Sequence, residues 1–160
     1  MNESDPPQMG PDKALAIGSY GESVAAYRYL VFAEHAPTER HRRAFEAMAD
    51  EEQDHKERLQ RLLVELYPDA DFVLSEQDKE LVVVGPRLLQ VRDPSSFAAA
   101  LNMTLQTEQR TSGFYLRMSE RVGHQRLQAV FRDLADEGVE HYRRLRALAG
   151  EVEAQFSGPH

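Results

Sequence analysis

The sequence predicts an all-α fold in which two antiparallel helix hairpins, joined by a long crossover, form a four-helix bundle. Three observations predict it. Four segments carry apolar residues at helical spacing. Pro37 and Gly123 interrupt them with connections of two or three residues, too short for anything but antiparallel αα-hairpins. The second hairpin also repeats a chemical pattern of the first at an offset of 86 residues.

The first helix is expected over about 12–35, with Leu15, Gly18, Glu22, Ala25, Ala26, Tyr29 and Ala33 on one face. The second, about 38–66, aligns Phe45, Met48, Glu52, His55, Leu59, Leu62 and Leu66. The third is expected over 94–122, because Asp93 is a good N-cap and Pro94 suits the first helical position. It aligns Phe97, Leu101, Leu105, Glu108, Tyr115 and Val122, and the fourth, about 124–152, aligns Phe131, Leu134, Gly138, His141, Leu145 and Leu148. Residues 1–11 and 153–160 are expected as tails outside the 12–152 domain.

The crossover, 67–93, is longer than an extended chain needs to return along such a bundle, so part of it should fold. Ser75 followed by Asp78 resembles a helix start, and Leu81 to Val84 is apolar enough to pack on the bundle. The first helix has a second apolar stripe, Ile17, Tyr20, Val24, Tyr27 and Val31, nearly opposite Glu22. The crossover or a second subunit must cover it, and a homodimer that uses part of it is expected.

With 160 residues and 41% apolar content the chain can bury one full core. Its net charge of −8 argues against a general nucleic-acid or anionic-membrane binder. There are no cysteines, which excludes disulfides, thiol catalysis and Cys-ligated metals. No apolar run approaches the roughly 20 residues that span a bilayer. The polar, Pro-rich start lacks a signal-peptide pattern, so a cytoplasmic location is the default expectation.

The repeat carries the chemistry. Glu22, Glu52 and His55 in the first half correspond to Glu108, Gly138 and His141 in the second. Flanking matches include Phe45/Phe131, Ala49/Ala135, Asp50/Asp136, Glu51/Glu137 and Leu59/Leu145. Glu22 and Glu52 each lie 15 residues from Pro37, and Glu108 and Gly138 each lie 15 from Gly123, so both pairs should sit at one level of the bundle. The histidines fall one turn further along the same face. A Glu on one helix with Glu-x-x-His on its neighbour, used twice, is how a four-helix bundle holds two iron or manganese ions. Carboxylates with imidazole suit those metals, although zinc is also compatible. One Glu-x-x-His alone would be weak evidence, and a degenerate bundle with a structural or absent metal site, acting as an interaction module, is the alternative.

These residues resemble the rubrerythrin group of ferritin-like proteins over nearly all of 12–152. The motifs are Gly21-Glu22 with Tyr29 downstream, Asp50-Glu51-Glu52-Gln53-Asp54-His55, Glu108, and Asp136-Glu137-Gly138-Val139-Glu140-His141. The resemblance implies a di-iron centre that reduces peroxide or oxygen, or oxidises ferrous iron. Glu22, Glu52 and His55 would serve one ion and Glu108 and His141 the other, with Glu52 bridging. Members often carry a Cys-rich rubredoxin-like donor domain; this sequence offers no such site, which implies an external electron donor. Where they tend to place a further Glu, this chain has Thr111.

The other departure is Gly138, where the second bridging Glu is expected. A mid-helix glycine costs about 1 kcal/mol against alanine, so helix stability does not explain it. Three explanations stand: Glu137 swings in as a substitute ligand, Gly138 leaves an open coordination position for oxygen, peroxide or an external carboxylate, or the second site is lost, leaving one metal or none. Tyr29 and Tyr115, each seven residues after its Glu, are candidates for hydrogen bonds to the ligands. His35, His41 and His124 are expected at the surface, near helix ends. Gly18 to Gly21 is no phosphate loop, since it lies within a helix and follows no strand.

Overall fold

The computed structural model describes residues 9–157, so the expected tail over 1–8 and 158–160 lies outside the described residues. Five helices follow in order: α1 Pro11–Glu34, α2 Glu39–Leu66, α3 Glu76–Glu80, α4 Pro94–Arg121 and α5 Gln125–Ser157. Their starts have local chemical causes. Pro11 sits in the first turn of α1. The Thr38 hydroxyl accepts from the His41 N–H at 3.1 Å, and the His124 Nδ1 accepts from Leu127 N–H at 3.3 Å. Ser75 with Asp78, and Asp93 with Ser96, form reciprocal capping boxes.

α1 packs along α2 and α4 along α5, as the short turns require. One correction concerns α5, which runs to Ser157 instead of ending near 152, so 153–157 is helix and not tail. Its apolar stripe continues: Val152 is buried, and one turn on Phe156 meets Phe97 edge-on at 6.1 Å.

The core is divided into two apolar layers. One holds Leu15, Leu59, Phe114, Tyr115, Leu127 and Phe131, the other Tyr29, Phe32, Phe45, Phe97, Leu101 and Leu145. The acidic residues of the repeat lie between them.

The crossover covers part of the outer stripe of α1. Val82 and Val83 join the first layer with Ile17 and Val24, and burial of each valine contributes roughly 1.5–3 kcal/mol. Gly21 makes this approach possible, because a Cβ there would stand 3.0 Å from the Val82 side chain. Tyr27 and Leu30 remain exposed. Polar groups tie the crossover down: Thr111 Oγ1 donates to Val82 O at 2.9 Å, and Arg110 Nη1 to Glu80 O at 3.0 Å. Thr111 is thereby committed to the crossover.

His41 is a second correction. It is buried, with Nδ1 2.7 Å from Thr38 Oγ1 and Nε2 3.3 Å from a Glu151 carboxylate oxygen. Its ring closes the gap between the start of α2 and the last turns of α5.

Candidate metal centre

The five predicted ligands converge. Glu22 comes from α1, Glu52 and His55 from α2, Glu108 from α4 and His141 from α5. They form two groups, Glu22–Glu52–His55 and Glu52–Glu108–His141, with donor atoms within 4.8 Å of one another in each. Glu52 belongs to both. All three glutamates are buried between the apolar layers, and the two imidazoles stack with ring centres 5.5 Å apart.

Each histidine turns Nδ1 inward. His141 Nδ1 lies 2.5 Å from Glu52 Oε1, and His55 Nδ1 lies 3.5 and 3.6 Å from carboxylate oxygens of Glu52 and Glu22. Each Nε2 faces outward to a carboxylate of the opposite hairpin: His55 to Glu137 at 2.6 Å, His141 to Glu51 at 2.9 Å. Glu51 and Glu137 are repeat equivalents, so the two halves hold each other's imidazoles. A carboxylate on the far nitrogen of a ligating histidine fixes the ring and its tautomer. Glu137, one of the candidate substitute ligands, stands behind His55 and not beside His141.

The tyrosines cross in the same manner. Tyr29 donates to Glu108 Oε1 and Tyr115 to Glu22 Oε1, each at 2.7 Å. Gly18 seats Tyr115, since a Cβ there would come within 3.0 Å of its ring. Both tyrosines are fully buried, and burial together with the adjacent carboxylates holds their hydroxyls well above the usual range, so they act as donors.

Gly138 is a point of close packing between α4 and α5. A Cβ built there would lie 3.0 Å from Ser112 Cβ, and Ser112 Oγ donates to the Ala135 carbonyl at 2.7 Å. The glycine lets α4 approach α5 closely, a cause invisible in the repeat alone. Gly138→Ala is therefore expected to lower the urea midpoint. The roughly 1 kcal/mol of helix propensity it gains is outweighed by an overpacking cost of about 1–3 kcal/mol. The same change made together with Ser112→Gly should recover the loss.

The electrostatics fit a cation site. Burial, reinforced by the Glu52 charge, pushes Glu22 and Glu108 well above the usual carboxylate range. Burial would raise Glu52 too, but bonds from Glu22, His141 and His55 outweigh it and hold it below that range. Burial works against charge on His55, yet bonds to Glu22 and Glu52 lift it to about 11; His141 is raised in the same way, mainly by Glu52. Three buried carboxylates are thus reconciled only by protons on their neighbours. Divalent cations would displace those protons and satisfy the same oxygens. A donor set of three carboxylates and two imidazoles matches iron or manganese.

A surface depression lies between α2 and α5, over the outer edges of the two histidines. It has a volume of about 550 Å³ and is lined by Glu51, Asp54, His55, Glu137, Glu140, His141 and Arg144. Carboxylates predominate there, with Arg144 paired to Glu51.

The family profile of rubrerythrin matches residues 13–149. The chain belongs to the rubrerythrin family. That places it in the ferritin-like superfamily, in agreement with the fold. A solved structure of a hypothetical protein from Pyrococcus furiosus is similar to it at a TM-score of 0.75 and 22% identity, over 92% of this chain and 91% of that one. No curated protein matches. Family membership makes iron binding plausible, and the ligand groups described above could hold a metal. No helix among the described residues is long and apolar enough to cross a membrane.

Proposed function

We propose that this rubrerythrin-family protein is a non-haem di-iron redox protein that reduces peroxide or oxygen with electrons from an external donor. The observation that carries this is the pair of buried ligand groups sharing Glu52. Glu22, Glu52 and His55 would hold one ion, and Glu52, Glu108 and His141 the other. When bound, the iron pair supplies two electrons to the oxidant and is returned to the ferrous state by the donor.

The protein's own residues have distinct tasks. Glu137 and Glu51 keep the imidazoles turned so that each Nδ1 faces the carboxylates. Tyr29 and Tyr115 each donate to one carboxylate oxygen, which leaves the other oxygen of Glu108 and Glu22 free to ligate. The apolar layers on either side exclude water, so these charges act at low dielectric. The acidic depression over the two histidines favours approach of a cation from solvent. That feature also supports ferrous-iron oxidation with oxygen as a second activity of the same residues.

Peroxide consumption by the iron-loaded protein, supplied with a small-molecule reductant, tests the proposal. Repeated turnover per chain is expected. A protein holding both irons that consumes neither peroxide nor oxygen would overturn the redox assignment and leave a structural metal site.

A further inference from the structure

The two ligand groups are related by the repeat, but they differ in two independent ways. On α2, Glu52 and His55 lie three residues apart, so one helix presents a carboxylate and an imidazole side by side. On α5, the position three residues before His141 is Gly138, and the shared carboxylate must reach His141 from Glu52 across the bundle. The outer carboxylates differ as well. Glu51, behind His141, is paired with the Arg144 guanidinium through Nη2 and, at 3.4 Å, through Nη1. Glu137, behind His55, has no ion pair among the described residues apart from the imidazole itself. The residue equivalent to Arg144 in the repeat, Arg58, pairs with Asp133 at 3.4 Å and leaves Glu137 alone.

We propose that the two ion positions are unequal. The first divalent cation enters the Glu22–Glu52–His55 group, the second binds more weakly at Glu52–Glu108–His141, and Arg144 sets much of the difference. This rests on the metal-binding function proposed above. At the first position no guanidinium among the described residues competes for the Glu137 carboxylate beside the imidazole, and that contact strengthens the imidazole as a ligand. At the second, the guanidinium neutralises the corresponding charge on Glu51 and adds a cation close to where a dication must bind. Arg144 and Glu137 are thus positioning residues that act through Glu51 and His55.

Anaerobic titration of the metal-free protein with cobalt(II), followed by visible absorption against a competing chelator, reads the two steps directly. Two steps are expected, with dissociation constants separated by roughly tenfold or more, the usual weight of outer contacts on a ligating histidine. His141→Gln should remove only the weak step and His55→Gln the tight one. Arg144→Gln should strengthen the weak step several-fold and leave the tight step in place. Glu137→Gln, a change at a half-exposed side chain that spares the fold, should weaken the tight step alone. Two indistinguishable steps, loss of the tight step in His141→Gln, or an unchanged gap in Arg144→Gln would overturn the inequality. Two equal, tight ions would do so while leaving the metal-binding function standing. Failure to take up cobalt, manganese, zinc or iron at all would overturn that function instead.

Discussion

Replacing Glu52 with alanine is expected to remove metal uptake at both positions, with at least a 100-fold loss of affinity at each. Its carboxylate is the donor common to both groups. Loss of an outer contact to a ligating histidine already costs roughly 10- to 100-fold, and loss of a ligand costs more. No neighbour can replace it, since its repeat counterpart is Gly138, packed against Ser112. Glu22→Ala should instead weaken one position and spare the other. Iron per chain after desalting separates the two results, and peroxide turnover should vanish with Glu52→Ala.

The same variant has a pH signature. The raised pKa of His141 depends mainly on Glu52, after the opposing effect of burial. A histidine raised in the folded state adds stability below its unfolded pKa of about 6.5 and loses that contribution as pH climbs through the folded value. Removal of Glu52 deletes this benefit at low pH. At high pH it relieves repulsion with Glu22 and Glu108. The stability of the metal-free variant relative to the parent should therefore improve as pH rises, a trend that urea midpoints at pH 6 and pH 9 would show. A flat or reversed trend contradicts the assigned electrostatics.

Arg28→Met is expected to destabilise the protein by roughly 2–4 kcal/mol without changing metal stoichiometry. Arg28 lies on α1 with its side chain fully buried. Nη1 donates to Thr107 Oγ1 at 2.9 Å, and Nη2 to the Val84 and Pro86 carbonyls at 2.8 and 2.9 Å. One guanidinium thus joins α1, α4 and the crossover. Methionine keeps much of the packed volume but leaves those carbonyls without their donor, at about 1–3 kcal/mol each. Relief of burying a cation offsets part of this, consistent with burial pushing the Arg28 pKa down. Chemical denaturation with iron analysis provides the check, and a loss under 0.5 kcal/mol would show that the crossover is held by its valines alone.

The positions of the helices and of the five candidate ligands were legible because both follow from local spacing. Pro37 and Gly123 fixed the hairpins, and equal distances from each turn put Glu22 level with Glu52. Even α3 announced itself through Ser75 and Asp78. What remained hidden depends on which residues meet across the bundle. Glu51 and Glu137 were visible as a matched pair, yet each serves the histidine of the other half, and only the packed helices bring them together. Taking the repeat as a two-fold axis, with contacts crossed between halves, would have been the signal for it. Gly138 owed its identity to Ser112 on a neighbouring helix. Arg28 gave no signal, because an arginine on a helix is ordinarily exposed. His41 was misplaced because burial at a helix end depends on which residues of the opposing helix pack against it, here Glu151 of α5.

Ferrous loading of the metal-free protein under anaerobic conditions, with crystals of the product examined by anomalous scattering at the iron edge, tests the central claim most directly. Two irons per chain are expected, one among Glu22, Glu52 and His55 and one among Glu52, Glu108 and His141. Uptake should release protons and strengthen as pH rises, because the metal replaces protons on the histidines and on Glu22 and Glu108. No bound iron, manganese or zinc at either group, with the fold intact, would contradict the claim and leave a bundle whose buried acids are held by protons alone.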